Sequence, residues 1–224
     1  MSALDPRPVG PVVPVTVAAP ERPASQRLTI DVSVLPETVF GYGALTWWAT
    51  AGFILVEGMT LAVLAASYLY LRINAAEWPP RPASAPELLV PTVTLLVILA
   101  AMLPLHLASK AAVKFDLKGV RLWLVVGTLV VIAATALRWF DFKSLNVRWD
   151  TNAYGSALWG VVFAHTTLLV TQLLEVGSIT VLFFTGRIEP KHFSDVEDAA
   201  MYQYFLSLAW LVLYVVVILG PRVL

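Results

Sequence analysis

The sequence contains no cysteine and has little charge. Of its 224 residues, 13% are Asp, Glu, Lys or Arg, and three are histidine. The absence of cysteine excludes disulfides, thiolate catalysis and cysteine-based metal sites. Soluble domains are about one quarter charged, so the shortage here indicates that lipid surrounds much of the chain. The fifteen acidic and fifteen basic residues cancel, and no excess of positive charge points to nucleic acid as a partner.

Hydrophobic residues are abundant and lie in long runs. They make up 58% of the chain, and the mean hydropathy is +0.77. A helix needs about 20 apolar residues to cross a bilayer. We therefore predict an all-α integral membrane bundle of five transmembrane helices, called here the first to fifth spans, at about residues 46–71, 88–109, 122–137, 154–185 and 199–219. The runs lack the alternation of polar and apolar residues that a barrel requires.

The first forty residues differ from the rest of the chain. They contain seven prolines and no apolar run, so we expect no cleavable signal peptide. A segment of this composition buries too little apolar surface to fold. We expect residues 1–40 to form a disordered, proline-rich cytoplasmic tail and residues 41–224 to form the transmembrane domain.

The positions of lysine and arginine predict the orientation in the membrane. With the amino terminus inside and the carboxyl terminus outside, nine basic residues lie inside and six outside. Four of the nine lie in the short segment from Lys110 to Arg121, and short basic loops remain on the cytoplasmic side. Arg121 and Arg138 bracket the third span and are expected to reach the lipid headgroups. Pro104, deep in the second span, is expected to kink that helix or to end it early.

Few ionisable residues interrupt the spans, and each needs a reason because such groups are energetically costly in a bilayer. Glu57 lies roughly 16 Å from the inner end of its span, and Glu175 lies at a similar depth in the fourth span. Such a carboxyl either exchanges protons or forms hydrogen bonds that specify packing. His106 and His165 are separated by roughly 24 Å along the membrane normal, which argues against ligation of one haem by both, and no metal site is expected.

On the residues alone, the chain could be an accessory subunit, a small transporter or a lipid-binding scaffold. Four motifs narrow this choice. Glu57 is followed by an exit from the first span at Tyr68, Tyr70, Leu71 and Arg72, and the outer loop contains Trp78, Pro79 and Pro80. The fourth span opens with Tyr154, Gly155 and Ser156, and His165 follows. The last span begins with Glu197, Ala199, Ala200, Tyr202, Tyr204 and Phe205 and continues to Trp210.

In order and spacing, these motifs resemble subunit III of the haem-copper cytochrome c oxidases, in its five-helix bacterial form. The resemblance runs from about Gly41 to the end of the chain. The sequence differs from that family at several polar positions. Leu168 stands where a second histidine is usual, Ser207 replaces an aspartate, and Arg138 stands near the place of a glutamate. Fewer of the polar side chains typical of the family are therefore present.

The resemblance implies a non-catalytic subunit that stabilises subunit I and binds phospholipid. It would also support proton uptake during oxygen reduction. Haem and copper would lie in partner subunits I and II, and this chain would bind neither. The bacterial inner membrane is the expected location. Alternatives are a subunit III-like accessory protein of a nitric-oxide reductase or quinol oxidase, and a small membrane transporter or scaffold.

The resemblance, together with the depth of the ionisable residues in the spans, gives candidate roles for individual residues. Glu57, His165 and Glu175 are the candidates for a proton or polar network. Arg72 is a candidate lipid contact. A structural role is expected for the motif residues Trp78, Pro79, Pro80 and Trp210. No catalytic residue is expected in this chain.

Overall fold

The computed structural model describes residues 38–223, so the predicted tail lies almost wholly outside the described residues. Five helices are long and apolar enough to cross a membrane, as predicted: Leu45–Ile73, Leu89–Val113, Leu117–Lys143, Ala153–Thr185 and His192–Arg222. Between residues 38 and 223 there is no β-strand. Over these residues, the prediction of an all-α bundle with five helices able to span a membrane is therefore confirmed.

The third span is longer than the predicted 122–137. It has 27 residues, from Leu117 to Lys143, and the side chain of Asp116 caps it by accepting hydrogen bonds from two backbone N–H groups of its first turn. The hydropathy pattern places Arg138 at the end of this span. It lies inside the helix instead, because its charge is paired with that of Asp141 one turn later.

The second span is interrupted about one turn before its proline. It consists of helices Leu89–Ala100 and Met102–Val113, joined at Ala101, which precedes Pro104 by three residues. Proline has no N–H to donate to the preceding turn. Near this break the carbonyl of Ile98 accepts a hydrogen bond from Ser207 Oγ of the fifth span, at 3.0 Å.

The fifth span packs against the first, second and fourth spans. It begins as an α-helix at His192 and contains a π-helical turn, Val215–Leu219, near its end. The second span packs against the third, and the third against the fourth. The first span is peripheral, since only Leu61 and Tyr68 of its residues are buried.

Contacts near the ends of the helices define the two ends of the bundle. At what we call the proximal end, aromatic rings meet edge-on: Phe115 and Phe183 each pack against Phe193, with centroids 5.1 and 5.4 Å apart. At the opposite, distal end, the N–H of Glu87 donates to the carbonyl of Ser144 at 2.9 Å. The first span begins at the proximal end, and the third span ends at the distal end.

Candidate functional site

Glu57 and Glu175 line the same cavity, in the proximal half of the bundle. Its volume is about 420 Å³, and Asp195, Asp198 and Tyr202 of the fifth span also line it. We call it the carboxylate cavity. Both glutamates are half-buried. The sequence placed them at similar depths, and the structure brings them together across the first and fourth spans.

Helical spacing explains how the cavity is lined. Asp195, Asp198 and Tyr202 follow each other by three and four residues, so they share one face of the fifth span. Phe53 precedes Glu57 by four residues on the first span, and lines the cavity with it. The aspartates were missed because they precede the apolar run from which the fifth span was predicted. Their spacing relative to Tyr202 was the signal that could have revealed them.

A hydrogen bond to Glu57 joins the first and fifth spans at this cavity. The hydroxyl of Tyr202 donates to Oε2 of Glu57 at 2.6 Å. Nearer the proximal end, the N–H of Gly41 donates to a carboxylate oxygen of Glu197 at 2.9 Å. Glu57 is thus held in place by a neighbouring helix while it still faces the cavity.

The carboxylate cavity contains groups that can exchange protons with water. Four carboxyls and one phenol line it, and among the described lining residues none is a lysine or an arginine. Negative charges facing one cavity repel one another. Protons or small cations entering the cavity would relieve this repulsion.

His165 does not join the two glutamates. It is fully buried in the distal half of the bundle, where its Nδ1 lies 2.7 Å from the guanidinium of Arg138. Its Nε2 lies 3.0 Å from the carbonyl of Leu206. Arginine can only donate, so Nδ1 accepts and Nε2 donates to the carbonyl, as in a neutral imidazole. The three residues expected to form one network are therefore divided between two places.

His165 belongs to a buried cluster centred on Arg138. We call this cluster the arginine network; its members are Thr94, Arg138, Asp141, His165 and Trp210. The guanidinium lies 3.1 Å from the Asp141 carboxylate, and the two side chains are 1% and 2% exposed. Thr94 donates to the same carboxylate at 2.8 Å. The guanidinium also lies 3.6 Å from the centre of the Trp210 ring, where a cation is attracted by the π-electrons.

The expectation that Arg138 reaches the headgroups is therefore wrong. A buried guanidinium needs an opposite charge and hydrogen-bond acceptors. Asp141 supplies the charge and His165 a further acceptor. Sequence analysis missed Asp141 and Thr94. An arginine and an aspartate three residues apart lie on the same face of a helix, which was the available signal.

The Trp78-Pro79-Pro80 motif lies in the distal loop after the first span. The indole N–H of Trp78 donates to the hydroxyl of Tyr68 at 3.1 Å. Its ring packs edge-on against Tyr68 and Tyr154, with centroids 5.2 and 4.9 Å away. The motif thus contacts both the first and fourth spans. Arg72 lies in the last turn of the first span, at this same end.

All three histidines form hydrogen bonds within the fold. Both ring nitrogens of His165 have hydrogen-bond partners, and Nδ1 of His106 bonds to the hydroxyl of Tyr204. Nδ1 of His192 lies 3.1 Å from the backbone nitrogen of Glu189. Across residues 38–223, no three His, Asp or Glu side chains are grouped so that they could hold a metal ion.

Comparison with known proteins gives two informative matches. The chain is 23% identical over 171 residues to cytochrome c oxidase subunit 3 of Thermostichus vulcanus, which covers 76% of this chain and 85% of the relative. It is 24% identical over 184 residues to cytochrome c oxidase subunit 3 of a Synechocystis species, covering 80% and 77%. No family model matches the chain. The two matches confirm the resemblance inferred from the motifs.

Proposed function

We propose that this chain, a divergent homologue of cytochrome c oxidase subunit 3, is a non-catalytic membrane subunit of a haem-copper respiratory oxidase. The observation that carries the proposal is the similarity to two such subunits over more than three quarters of the chain. Haem and copper are then held by partner subunits, because the histidines of this chain are engaged in hydrogen bonds of its own fold.

The exposed apolar surface supports a role within a larger assembly. In the isolated chain, only 6% of the most apolar stretch of the first span is buried. Large side chains such as Phe53, Met59 and Val63 are more than half exposed on it. In a membrane, such a surface contacts either lipid or neighbouring helices. We assign it to phospholipid and to oxidase subunits I and II.

The carboxylate cavity supports a role in proton uptake. Glu57 faces the cavity and is held by Tyr202, and Glu175 lines the same space. Carboxyls that share a water-accessible cavity can pass protons between them. If the proximal end is cytoplasmic, the cavity lies on the side from which a respiratory oxidase takes up protons.

The basic residues favour that orientation more strongly than the sequence count did. Arg138 was one of the six basic residues counted as outside, yet it is buried in the bundle, so five remain on that side against nine. We therefore propose a cytoplasmic proximal end in a bacterial inner membrane. Because the chain has no cysteine, Lys114→Cys should be labelled by a membrane-impermeant reagent from the cytoplasm, and Asn146→Cys from outside. Labelling from the opposite sides would contradict this orientation.

Arg72 remains the candidate for a lipid-headgroup contact in this proposal. It is the basic residue in the last turn of the first span, and it is half-buried. Its apolar stem can lie along the helix while the guanidinium reaches the headgroups.

Purification from native membranes tests the assignment to an oxidase. The tagged chain, extracted in mild detergent, should bring with it a haem-bearing, copper-containing partner that reduces oxygen. Reduction of nitric oxide instead would identify a nitric-oxide reductase, and activity with quinol rather than cytochrome c a quinol oxidase. A chain that emerges alone and conducts solute flux in liposomes would overturn the proposal in favour of a transporter. Absence of the chain from the mature complex would indicate an assembly scaffold.

Substitution of Glu57 tests the proton-uptake role separately. Glu57→Gln can still accept a hydrogen bond from Tyr202 but cannot release a proton at physiological pH. The complex should therefore assemble normally, while proton uptake and the lifetime of turnover decrease. Glu77→Gln is the matched control, because Glu77 is an exposed residue of the distal loop, paired with Arg81. Unchanged pumping and turnover lifetime in Glu57→Gln would remove this role and leave the oxidase assignment standing.

A further inference from the structure

A second cavity lies at the distal end, where the third span ends and the fourth begins. Its volume is about 760 Å³, within the range of about 300–1,000 Å³ typical of ligand-binding pockets. It shares no lining residue with the carboxylate cavity. We call it the distal pocket.

Aromatic side chains form the wall of the distal pocket: Trp139, Phe142, Trp159 and Phe163. The rings of Phe142 and Trp159 lie 5.0 Å apart. The indole N–H of Trp159 donates to the carbonyl of Val147 at 2.8 Å, which fixes the ring. Trp139 and Phe163 are about two-thirds exposed, at 65% and 64%. The wall is therefore preformed and open towards the surroundings of the bundle.

The rim of the distal pocket is cationic. Two of the described lining residues, Lys143 and Arg148, are basic, and none of them is a carboxylate. Arg148 forms an ion pair with Asp150, with nitrogen–oxygen distances of 3.1 and 2.9 Å. Lys143 forms no ion pair with any described residue, and its ammonium lies 5.3 Å from the centre of the Trp139 ring. Lys143 is thus the charge available to an anion.

The polar and apolar parts of the distal pocket lie at different depths. Lys143 is the last residue of the third span, and Trp139 lies one helical turn deeper. Phe163 lies ten residues into the fourth span, about 15 Å from its beginning by helix rise. A ligand filling the pocket would therefore have its polar group at the end of the bundle and its apolar group against the aromatic wall.

We propose that the distal pocket binds one anionic phospholipid. Its phosphate contacts the ammonium of Lys143, and one acyl chain lies along Trp139 and Phe163 towards the middle of the membrane. Charge complementarity at Lys143 selects an anionic headgroup, and the amphipathic tryptophans suit the depth at which headgroup and chain meet. This site requires only that the chain lies in a bilayer, so it does not depend on membership of an oxidase.

Native mass spectrometry of the full chain, with its complex if one co-purifies, tests the proposal. The protein is freed of lipid in detergent and mixed with phosphatidylglycerol or phosphatidylcholine of identical acyl chains. We expect phosphatidylglycerol to bind more tightly. Lys143→Gln should weaken its binding about fivefold, as expected for the loss of one basic side chain at a membrane surface. It should weaken the binding of phosphatidylcholine less, because the choline group already balances the charge of that phosphate. Lys118→Gln, the same change of charge at the other end of the third span, should have no effect.

A second substitution tests the cavity rather than the charge. Thr151 lines the distal pocket and is exposed, so Thr151→Phe should fill part of the space without disturbing the bundle. Binding of both lipids at this site should then decrease, while the thermal midpoint is unchanged. Equal affinity for the two lipids, equal weakening by Lys118→Gln and Lys143→Gln, or undiminished binding to Thr151→Phe would each overturn the proposal.

Discussion

At the proximal end, four carboxyl side chains face an open cavity, whereas in the distal half a single carboxylate is held against an arginine away from solvent. Asp141 and Arg138 are 1% exposed as residues, while Glu57 and Glu175 are half-buried beside a volume of about 420 Å³. The arginine network balances its charges internally. The carboxylate cavity has no lysine or arginine among its described lining residues. Carboxyl side chains are thus paired with a basic group inside the bundle in one region and face an open cavity in the other.

This difference predicts opposite responses to substitution. Removing one member of the arginine network leaves a charge or a polar group buried without its partner, so stability should fall. Removing a carboxyl from the cavity reduces repulsion or changes little, so stability should remain. A substitution in the arginine network that leaves stability unchanged, or one in the carboxylate cavity that lowers it, would show that the two regions are less distinct than their geometry indicates.

The largest effect is expected for Asp141→Asn. The guanidinium of Arg138 would lose its ion-pair partner at 3.1 Å while remaining buried. Breaking a buried ion pair by removing one partner destabilises proteins by about 3–5 kcal/mol. The denaturation midpoint in mixed detergent micelles should fall accordingly, and the yield of folded protein with it.

Two controls define this result. Arg81→Gln breaks an exposed ion pair with Glu77, which should change stability by less than about 1 kcal/mol. The double substitution Arg138→Met with Asp141→Leu removes both charges and should recover much of the lost stability. If Asp141→Asn were as stable as Arg81→Gln, the arginine network would not be the closed, mutually dependent unit described above.

The next largest effect is expected for His165→Phe. The ring would keep its place beside Trp210, whose centroid lies 5.0 Å away, but Arg138 and the Leu206 carbonyl would lose their partners. A buried polar group without a partner costs about 1–3 kcal/mol. The thermal midpoint in detergent reports the loss. His106→Phe is the comparison, because His106 is only partly buried, and an equal loss there would contradict the special position of His165.

The five helices could be predicted from the sequence because a long apolar run is a strong signal that needs no knowledge of neighbours. The similar depths of Glu57 and Glu175 could be calculated from helix rise alone. Helix rise does not say which faces of two helices meet, so the sequence could not show that these residues share a cavity while His165 lies elsewhere.

The arginine network shows more clearly what the sequence alone cannot predict. An arginine near the end of an apolar run resembles a residue that reaches the headgroups. Only the fold shows that Trp210 and His165, from two other helices, lie beside it. Asp141 lies three residues after Arg138 and could have indicated an ion pair. That inference requires knowing that the helix continues to Lys143.

A smaller effect is expected for Trp78→Phe in the distal loop. The phenyl ring would retain much of the edge-on packing against Tyr68 and Tyr154. It would lose the hydrogen bond from the indole to the Tyr68 hydroxyl, and one such bond contributes about 1 kcal/mol. The thermal midpoint should fall slightly. A loss as large as that of Asp141→Asn would show that the loop, rather than the arginine network, holds the distal end together.

The smallest effect on stability is expected for Glu175→Gln in the carboxylate cavity. Glu175 faces the same space as Glu57, Asp195 and Asp198, so neutralising it removes repulsion and breaks no ion pair among the described residues. The free energy of unfolding should change by less than about 0.5 kcal/mol, whereas proton uptake by the assembled complex should slow. Thr171→Val, one helical turn away on the same cavity wall, is the control for a change of polarity without a change of charge. If Glu175→Gln destabilised the protein as much as His165→Phe does, this carboxyl would hold the helices together. The carboxylate cavity would then stabilise the fold, as the arginine network does.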